Sequence, residues 1–577
     1  MERVKNLFLV VKRHEALALS IILALAMLII RYPSVAEWNL GDNDNFMRLH
    51  QIKTFIESPS WYLHPLQDFN PQDGQIMHWS RLPDLPILAA YYPLKLFVTH
   101  ELALQLSISV LPLIYLLALV YFLTRITCTV FNVKPPFLTV IYAFFSVASL
   151  KFLPGHIDHH NLQLLLFSSF IWAIFSPQYH QKCYLYTASI SIALSLLIGL
   201  EALPFYILSL GFLTIYALYY DLRKLTHIRN IALQVALFGA LLMVLFQPAS
   251  SWFNPQYDIL TLPLLCFFLA AALSLSITKL HPTLIVLLLT TLIFSGSTWL
   301  LFPQVLKSPY ATYPEVLITY WLNHVSEARP LPQVFTEAKH FSANWLYIGT
   351  IFPAIFSIFL LKESKQRVYY LIFLISLLPA IFWQVRTILF SSVLAIPLQV
   401  ILGLRLFNKI NTPVIRIIIP LFISPILFAV VISHIEGSLQ KEQDKKEPSS
   451  LNATDLIKQL DITGKKIFAP MDQGANIITL TNNSIITAPY HRNIRGNLLY
   501  INTLLSDDLD NTYSLLKKEG IELFMFEKKD NQNKYMSQKK SNQSLLQRML
   551  DDNPPSWLIP IGNNGDGITL YKLKERL

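Results

Sequence analysis

Residues 15–48 read "EALALSIILALAMLIIRYPSVAEWNLGDNDNFMR". An apolar run at 15–31 is followed within a dozen residues by Asp42, Asp44 and Arg48. A run of this length can cross the ~30 Å hydrocarbon layer of a bilayer as a helix. Charged groups beside such a run are costly and usually face a cavity and a partner. The stretch therefore poses two questions: how often the apolar pattern recurs, and what else lies on the face where this polar cluster emerges.

The pattern recurs along the first three quarters of the chain. Of 577 residues, 53% are hydrophobic and only 14% charged, and mean hydropathy is +0.44. Soluble domains carry roughly 25% charged residues, so the composition points to an α-helical polytopic membrane protein. Candidate spans are 15–31, 103–124, 136–153, 158–176, 183–199, 203–219, 230–247, 257–277, 282–302, 343–362, 367–383, 387–404 and 413–434. By the length rule that makes about thirteen. The stretch 84–98 is apolar but short and holds Pro86 and Pro93, which suits a re-entrant or interfacial piece. The basic start is followed by no small-residue cleavage site, so the first run reads as a retained helix.

Basic residues set the orientation. Arg3, Lys5, Lys12 and Arg13 precede the first run, and every second loop after it is basic: Arg125 with Lys134, Lys182, Arg223 with Lys224 and Arg229, Lys279, Lys362 with Lys365 and Arg367, Arg405 with Lys409. The net charge of +10 thus reads as a cytoplasmic loop signal rather than as nucleic-acid binding. Cys128, Cys183 and Cys266 show neither disulfide nor metal spacing.

Three features then fall outside the cytoplasm. Two are long loops, 32–100 and 303–342, and loops of that length are usually functional. The third is the tail, 435–577, which the linker "QKEQDKKEPSS" separates from the transmembrane domain, residues 1–434. Strand-like runs "KKIFAPM", "NSIITAP" and "IELFMFE" alternate there with helical ones, which predicts a small α/β domain.

Four polar motifs share this outer face: "GDNDNFMR" with Asp42 and Asp44, "PGHIDHHNLQ" with Asp158, His159 and His160, "NHVSEARPL" with Glu327 and Arg329, and "FWQVRTILF" with Arg386. A weaker fifth is "GLEALPF", with Glu201 at an outer turn. Converging carboxylates can bind a hard divalent cation through oxygen, and an arginine at the membrane surface suits a lipid phosphate. Together they describe a site where a phosphate leaving group is displaced while a cation stabilises developing charge. Each motif alone has a structural reading: Asp42 or Asp158 as a helix cap, Arg386 as an interfacial anchor. His50, His64, His78 and His324 are read as structural.

On these residues the chain resembles the single-subunit oligosaccharyltransferases of the STT3, PglB and AglB type, which have a GT-C fold. In "DNDNFMR", Asp42 stands six residues before Arg48, the spacing of the family's D-P-W-Y-x-x-R pattern. "GHIDHH" supplies Asp158 and puts His160 where the second acid of the family's next motif stands; "HVSEARP" supplies Glu327, and "QVRTILF" supplies Arg386. Opening the outer domain, "APMDQGANII" holds an Asp-x-Gly frame in Asp472 and Gly474, but lacks the tryptophans of the family's W-W-D-Y-G motif.

The resemblance implies a metal-dependent GT-C glycosyltransferase that moves a glycan from a polyprenyl phosphate or pyrophosphate donor to an extracytoplasmic acceptor, whether protein, lipid or polysaccharide. Asp42, Asp158 and Glu327 would hold Mg²⁺ or Mn²⁺, with Asp44 and His160 in reserve, and Arg386 would bind the donor phosphate. Without the paired tryptophans, transfer to an Asn-x-Ser/Thr sequon is not implied. Two stretches fall outside the family pattern, "MHWSRLPDLP" (77–86) and "APYHRNIRGN" (488–497). Both suit loop packing or sugar and acceptor contact, with Trp79 as a stacking platform, Arg492 beside it in role, and Asp472 on the same acceptor side. Two other readings stay open: a monosaccharide transferase using a polyprenyl-phosphate sugar to modify lipid or polysaccharide, and a non-catalytic lipid-glycan transporter. A transporter places its charges near mid-membrane in broken helices, whereas these lie at one face.

Overall fold

The computed structural model describes residues 2–577 apart from 134–135, 253–257, 308–309, 311–312, 338–340, 413, 416–417, 419–422, 440–451, 538–542 and 576–577. Lys134, the linker 440–450 and portions of the expected spans 257–277 and 413–434 and of the loop 303–342 lie outside the described residues. The chain divides into two compact units. One comprises residues 1–39, 79–309 and 329–441; the other comprises 40–78, 310–328 and 442–577. Segments of both long loops thus belong to the unit that holds the tail.

The first unit is helical. Among the described residues, eight helices are long and apolar enough to cross a membrane: Glu15–Ala36, His100–Phe131, Leu203–Tyr220, Arg223–Phe246, Leu262–Leu280, Leu284–Leu301, Ser364–Phe382 and Val385–Lys409. Shorter apolar helices at His160–Phe175, Lys182–Ile198, Asn344–Leu360 and Pro425–His434 occupy four further expected spans. The expected span 136–153 is broken. Helix Pro136–Phe144 stops, and Ser146 starts a separate 3-10 turn, Val147–Phe152, by accepting from the Ser149 amide at 3.3 Å. Helices His160–Phe175 and Lys182–Ile198, at 16 and 17 residues, fall just below the length of those eight. The short piece at 84–98 folds as helix Asp84–Leu94, eleven residues long and too short to span.

Sequence punctuation explains the helix ends. Thr99 and Thr283 cap their helices by accepting from Leu102 and Val286. Glu363 and Gln366 form a reciprocal capping box. Asn132, left-handed at φ 54°, ends helix His100–Phe131. Burial then sorts the helices: the central stretch of Val385–Lys409 is 89% buried, that of Leu284–Leu301 only 6%. A helix apolar all round is either a core helix or a lipid-facing one, and these two are the extremes. Phe390 of the buried helix stacks on Phe205 at 4.5 Å and meets Phe167 edge-on at 5.5 Å, joining three helices beneath the polar turns described below.

The second unit is α/β. Its five-stranded sheet has the order β2-β1-β3-β5-β4, with β1 Lys466–Phe468, β2 Ser484–Ile485, β3 Leu523–Glu527, β4 Leu558–Asn563 and β5 Ile568–Leu573. The three runs read from the sequence as strands form its parallel portion: β1 pairs in parallel with β2 and with β3, placing Ile467 opposite Ile485 and Leu523. The antiparallel hairpin β4–β5 completes it. Phe69 bridges to Ile485 at the free edge of β2, with Asn70 N–H donating to Ile485 O at 2.8 Å and Ile485 N–H to Asp68 O at 2.9 Å. Covering an edge strand in this way removes unpaired backbone groups. Tyr313, Leu317 and Trp321 join the same core as Phe468, Tyr500 and Phe524.

Candidate functional site

In the first unit, three turns at one end of the helices carry the polar groups. The turn before helix His160–Phe175 reverses at Gly155, whose φ of +86° a side chain would strain. It delivers Asp158, His159 and His160, each no more than 4% exposed. Asp158 accepts from the His160 amide at 3.3 Å, while the N-cap position itself is His159. Asp158 also accepts from His160 Nδ1, at 2.7 Å through Oδ1 and 2.6 Å through Oδ2. Lys151 Nζ lies 3.4 Å from Oδ2.

His159 occupies the middle of this cluster. Its Nδ1 is 3.0 Å from Asp158 Oδ1 and its Nε2 is 3.5 Å from Glu201 Oε1. Both nitrogens are buried, and neither contact has hydrogen-bond geometry. The ring stacks on His160 at 4.5 Å and lies 5.9 Å from the buried Trp79 ring. Glu201, in the turn before helix Leu203–Tyr220, also accepts from Gln163 Nε2 at 3.2 Å. Arg386, half-buried in the 3-10 turn Val385–Thr387, donates from Nε to Gln384 Oε1 at 2.9 Å.

The electrostatics follow. Burial alone would raise the Asp158 pKa, but His160, His159 and Lys151 outweigh it and hold the carboxyl well below the usual range. Burial likewise opposes ionisation of Glu201, and His159 and Arg386 overcome it. His159 is pushed the other way: burial disfavours its cation, yet Asp158 and Glu201 raise its pKa to about 9. Two carboxylates thus share an imidazole between them, with Lys151 and Arg386 flanking. The ligand atoms of Asp158, His159 and His160 lie within 4.8 Å of one another, close enough for one metal ion.

The second unit carries Asp42, Asp44, Glu327, Asp472 and Arg492. Asp42 is the N-cap of helix Asn43–Glu57, its Oδ1 accepting from the Asp44 amide at 3.2 Å. That helix packs on helix Met471–Leu480, where Thr479 donates to Phe46 O at 2.9 Å. Tyr490 donates to Asn43 O at 2.9 Å, one residue from Asp42. Glu327 is exposed in a 3-10 turn, Ser326–Ala328. Asp472 starts helix Met471–Leu480, and burial followed by the Glu527 charge raises its pKa. Gly474 completes the Asp-x-Gly frame for a steric reason, since a Cβ there would collide with the Thr487 carbonyl.

The two stretches outside the family pattern meet in this unit. Arg492 Nη1 donates to Met77 O at 3.3 Å, and the rings of His78 and His491 lie 4.3 Å apart. His50 pairs with Asp68 at 3.0 Å, and His324 stacks on Tyr535 at 3.5 Å, both structural contacts.

Of the residues singled out from the sequence, Asp158 and His160 are brought together, Trp79 stands beside them on His159, and Arg386 acts on Glu201 through its charge. His159 and Lys151 were missed as site residues. The signal for His159 was present: three consecutive polar residues directly before an apolar run cannot all be caps. Glu201, the weaker fifth motif of the sequence, lies beside His159. Asp42 and Asp44 share one helix start.

No protein-family model and no curated protein matches the chain. Solved structures do. An oligosaccharyltransferase of Archaeoglobus fulgidus, tethered to an acceptor peptide containing the NVT sequon, aligns with a TM-score of 0.60 at 14% identity, over 96% of this chain and 74% of that one. AglB from the same organism, in complex with an inhibitory peptide and a dolichol-phosphate, aligns at 0.56 and 14%, over 96% and 74%. The Archaeoglobus enzyme in complex with Zn and sulfate aligns at 0.57 and 15%, over 97% and 73%. The chain has an STT3/AglB-like fold.

Proposed function

We propose that this chain is a membrane glycosyltransferase that moves a glycan from a polyprenyl phosphate or pyrophosphate donor to an acceptor outside the cytoplasm. The observation that carries the reading is the buried Asp158–His159–Glu201 cluster flanked by Arg386, at one end of the helices of an AglB-like fold. A buried imidazole held between two carboxylates has a strongly shifted pKa, and groups of this kind concentrate at functional sites. The dolichol-phosphate and the acceptor peptide bound to the Archaeoglobus proteins support a lipid-linked donor and a peptide acceptor. The missing tryptophans before Asp472 favour an acceptor other than a sequon peptide.

A divalent cation fits this site. The fit rests on a buried donor set, Asp158, His159 and His160, clustered within 4.8 Å. A nitrogen-rich set suits Mn²⁺ or Zn²⁺ better than Mg²⁺. In this reading Asp158 supplies the carboxylate, and His159 and His160 are the further ligands. The cation would neutralise charge developing on the departing phosphate. The residues do the rest. Ionised Asp158 accepts only, so the proton of His160 sits on Nδ1 and leaves Nε2 as a lone-pair donor. Arg386 binds and orients the donor phosphate. Glu201 holds His159 against Asp158 and fixes the ring.

The test is transfer by the purified full-length protein from a polyprenyl-linked glycan to peptide, lipid and polysaccharide acceptors, with glycan analysis of a deletion strain beside it. Transfer should fall on chelation, return with Mn²⁺, and be lost in Asp158→Asn. Undiminished transfer by Asp158→Asn would sink the site assignment, and no transfer from any polyprenyl-linked donor would sink the function.

A further inference from the structure

The first unit holds a cavity at the opposite end of the helices from Asp158 and Glu201. Those two precede the first turns of His160–Phe175 and Leu203–Tyr220; the cavity lies at the last turns of the same helices, where Phe175 and Tyr216 line it. It measures about 370 Å³, within the range of small-molecule sites. Leu210, Leu213, Ile228, Ile231 and Val368 form an apolar wall. Lys224 and Lys365 also line it, and no carboxylate does.

The two lysines are arranged in a way that plain solvation does not explain. Neither is in an ion pair among the described residues. Lys224 Nζ lies over two aromatic rings, 5.1 Å from the centre of Tyr216 and 5.7 Å from that of Tyr179. Lys365 Nζ donates to Thr129 O at 3.0 Å, which holds its chain in place. Tyr216 and Ser364 bring hydroxyls 3.2 Å apart at the same wall. A lysine pair turned into a cavity beside hydroxyl donors is a site for a phosphate oxyanion. The apolar wall adds a surface for a hydrocarbon chain. The exposed Tyr219, Tyr220 and Leu222 nearby suit the headgroup level of a bilayer. Basic pockets between membrane helices take anionic lipid headgroups.

We propose that this cavity binds the phosphate headgroup of an anionic phospholipid, clamped by Lys224 and Lys365, with an acyl chain against Leu213 and Ile231. The site is independent of the glycosyl-transfer reading and stands at the lysine- and arginine-rich end of the helices.

Retention of phosphatidylglycerol tests it, with native mass spectrometry of full-length protein taken from phosphatidylcholine–phosphatidylglycerol nanodiscs as the readout. The parent should keep one phosphatidylglycerol that phosphatidylcholine does not replace. Lys224→Gln with Lys365→Gln should retain it roughly tenfold less or worse, at about a threefold to tenfold loss per lysine. Lys224→Arg with Lys365→Arg should keep it. Leu213→Trp fills the cavity and leaves both lysines in place, so it should also lose the lipid; it decides the matter if the glutamine pair fails to fold. Inorganic phosphate should not displace the lipid. Equal retention by Leu213→Trp and the parent overturns the proposal. So does binding of inorganic phosphate with no retained phosphatidylglycerol, which would make this a soluble-anion site.

Discussion

At the scale of single residues, His159 and Arg386 carry the sharpest expectations. In metal-free protein, His159 is a cation stabilised by Asp158 and Glu201, with its pKa raised from 6.5 to about 9. A raised basic group stabilises the fold fully below its unfolded pKa and loses that contribution as pH rises through the folded value. His159→Gln should therefore lower the unfolding temperature at pH 6, and the gap from the parent should close as pH passes about 9. A gap that does not change with pH would mean that the imidazole is neutral. Arg386→Ala would leave donor phosphate unpaired in a partly desolvated site, costing on the order of 2–5 kcal/mol of binding. Arg386→Lys keeps charge without the planar fork and should fall between. Donor affinity in nanodiscs checks this, and an Arg386→Ala variant that binds donor like the parent reduces Arg386 to a membrane anchor. Asp158, His160 and Arg386 were legible in the sequence because charge beside apolar runs is conspicuous. His159 was in plain view, but its neighbour Asp158 already offered a structural account as a cap. Glu201 was legible as a weaker polar motif of the same face, but not its pairing with His159, forty-two residues away in the chain (159 to 201).

At the scale of elements, the second unit depends on close packing around helix Met471–Leu480. Gly474→Ala should destabilise it by ~1–3 kcal/mol, because the added methyl meets the rigid Thr487 carbonyl rather than a side chain that can turn away. Thermal unfolding followed by a probe in this unit would register the loss, and an unchanged midpoint means that the loop 486–490 gives way. Asp530 offers a pH test. Burial, with Asp472 and Glu527 adding to it, raises its pKa to about 7 against the amide hydrogen bond from Gln532. An acid whose folded pKa is raised binds its proton more tightly when folded, so its ionisation destabilises the fold as pH rises from about 4 to about 7. Asp530→Asn keeps the cap and should flatten that section of the stability profile, raising the midpoint at pH 8 but not at pH 4. The three strand-like runs of the tail became β1, β2 and β3. The hairpin β4–β5 was not foreseen, since its burial alternates weakly and Pro560 and Gly562 interrupt β4.

At the scale of the whole molecule, the alternation of basic loops predicts that the tail lies outside the cytoplasm. A reporter fused after residue 455 should read as extracytoplasmic. A cytoplasmic reading would mean that the basic loops alternate out of step with the helices, and the shared-face argument for the four motifs would fall with it.

The sequence by itself determined the class of the molecule. Apolar runs long enough for a bilayer, basic loops and a polar tail with strand-length runs are local properties, and hydrophobic transfer and backbone pairing act on them locally. It also determined the STT3/AglB-like fold, through the order of short motifs along the chain. Tertiary structure decided what a local reading cannot weigh. The apolar run 136–153 broke into two short pieces, because the Ser146 side chain offers the backbone a partner that competes with a continuous helix. Residues 40–78 and 310–328 joined the unit of the tail, because their apolar side chains and the free edge of β2 complete its core and its sheet. And His159 came to rest between Asp158 and Glu201, because the attraction of buried charges depends on distance in space and not on separation along the chain.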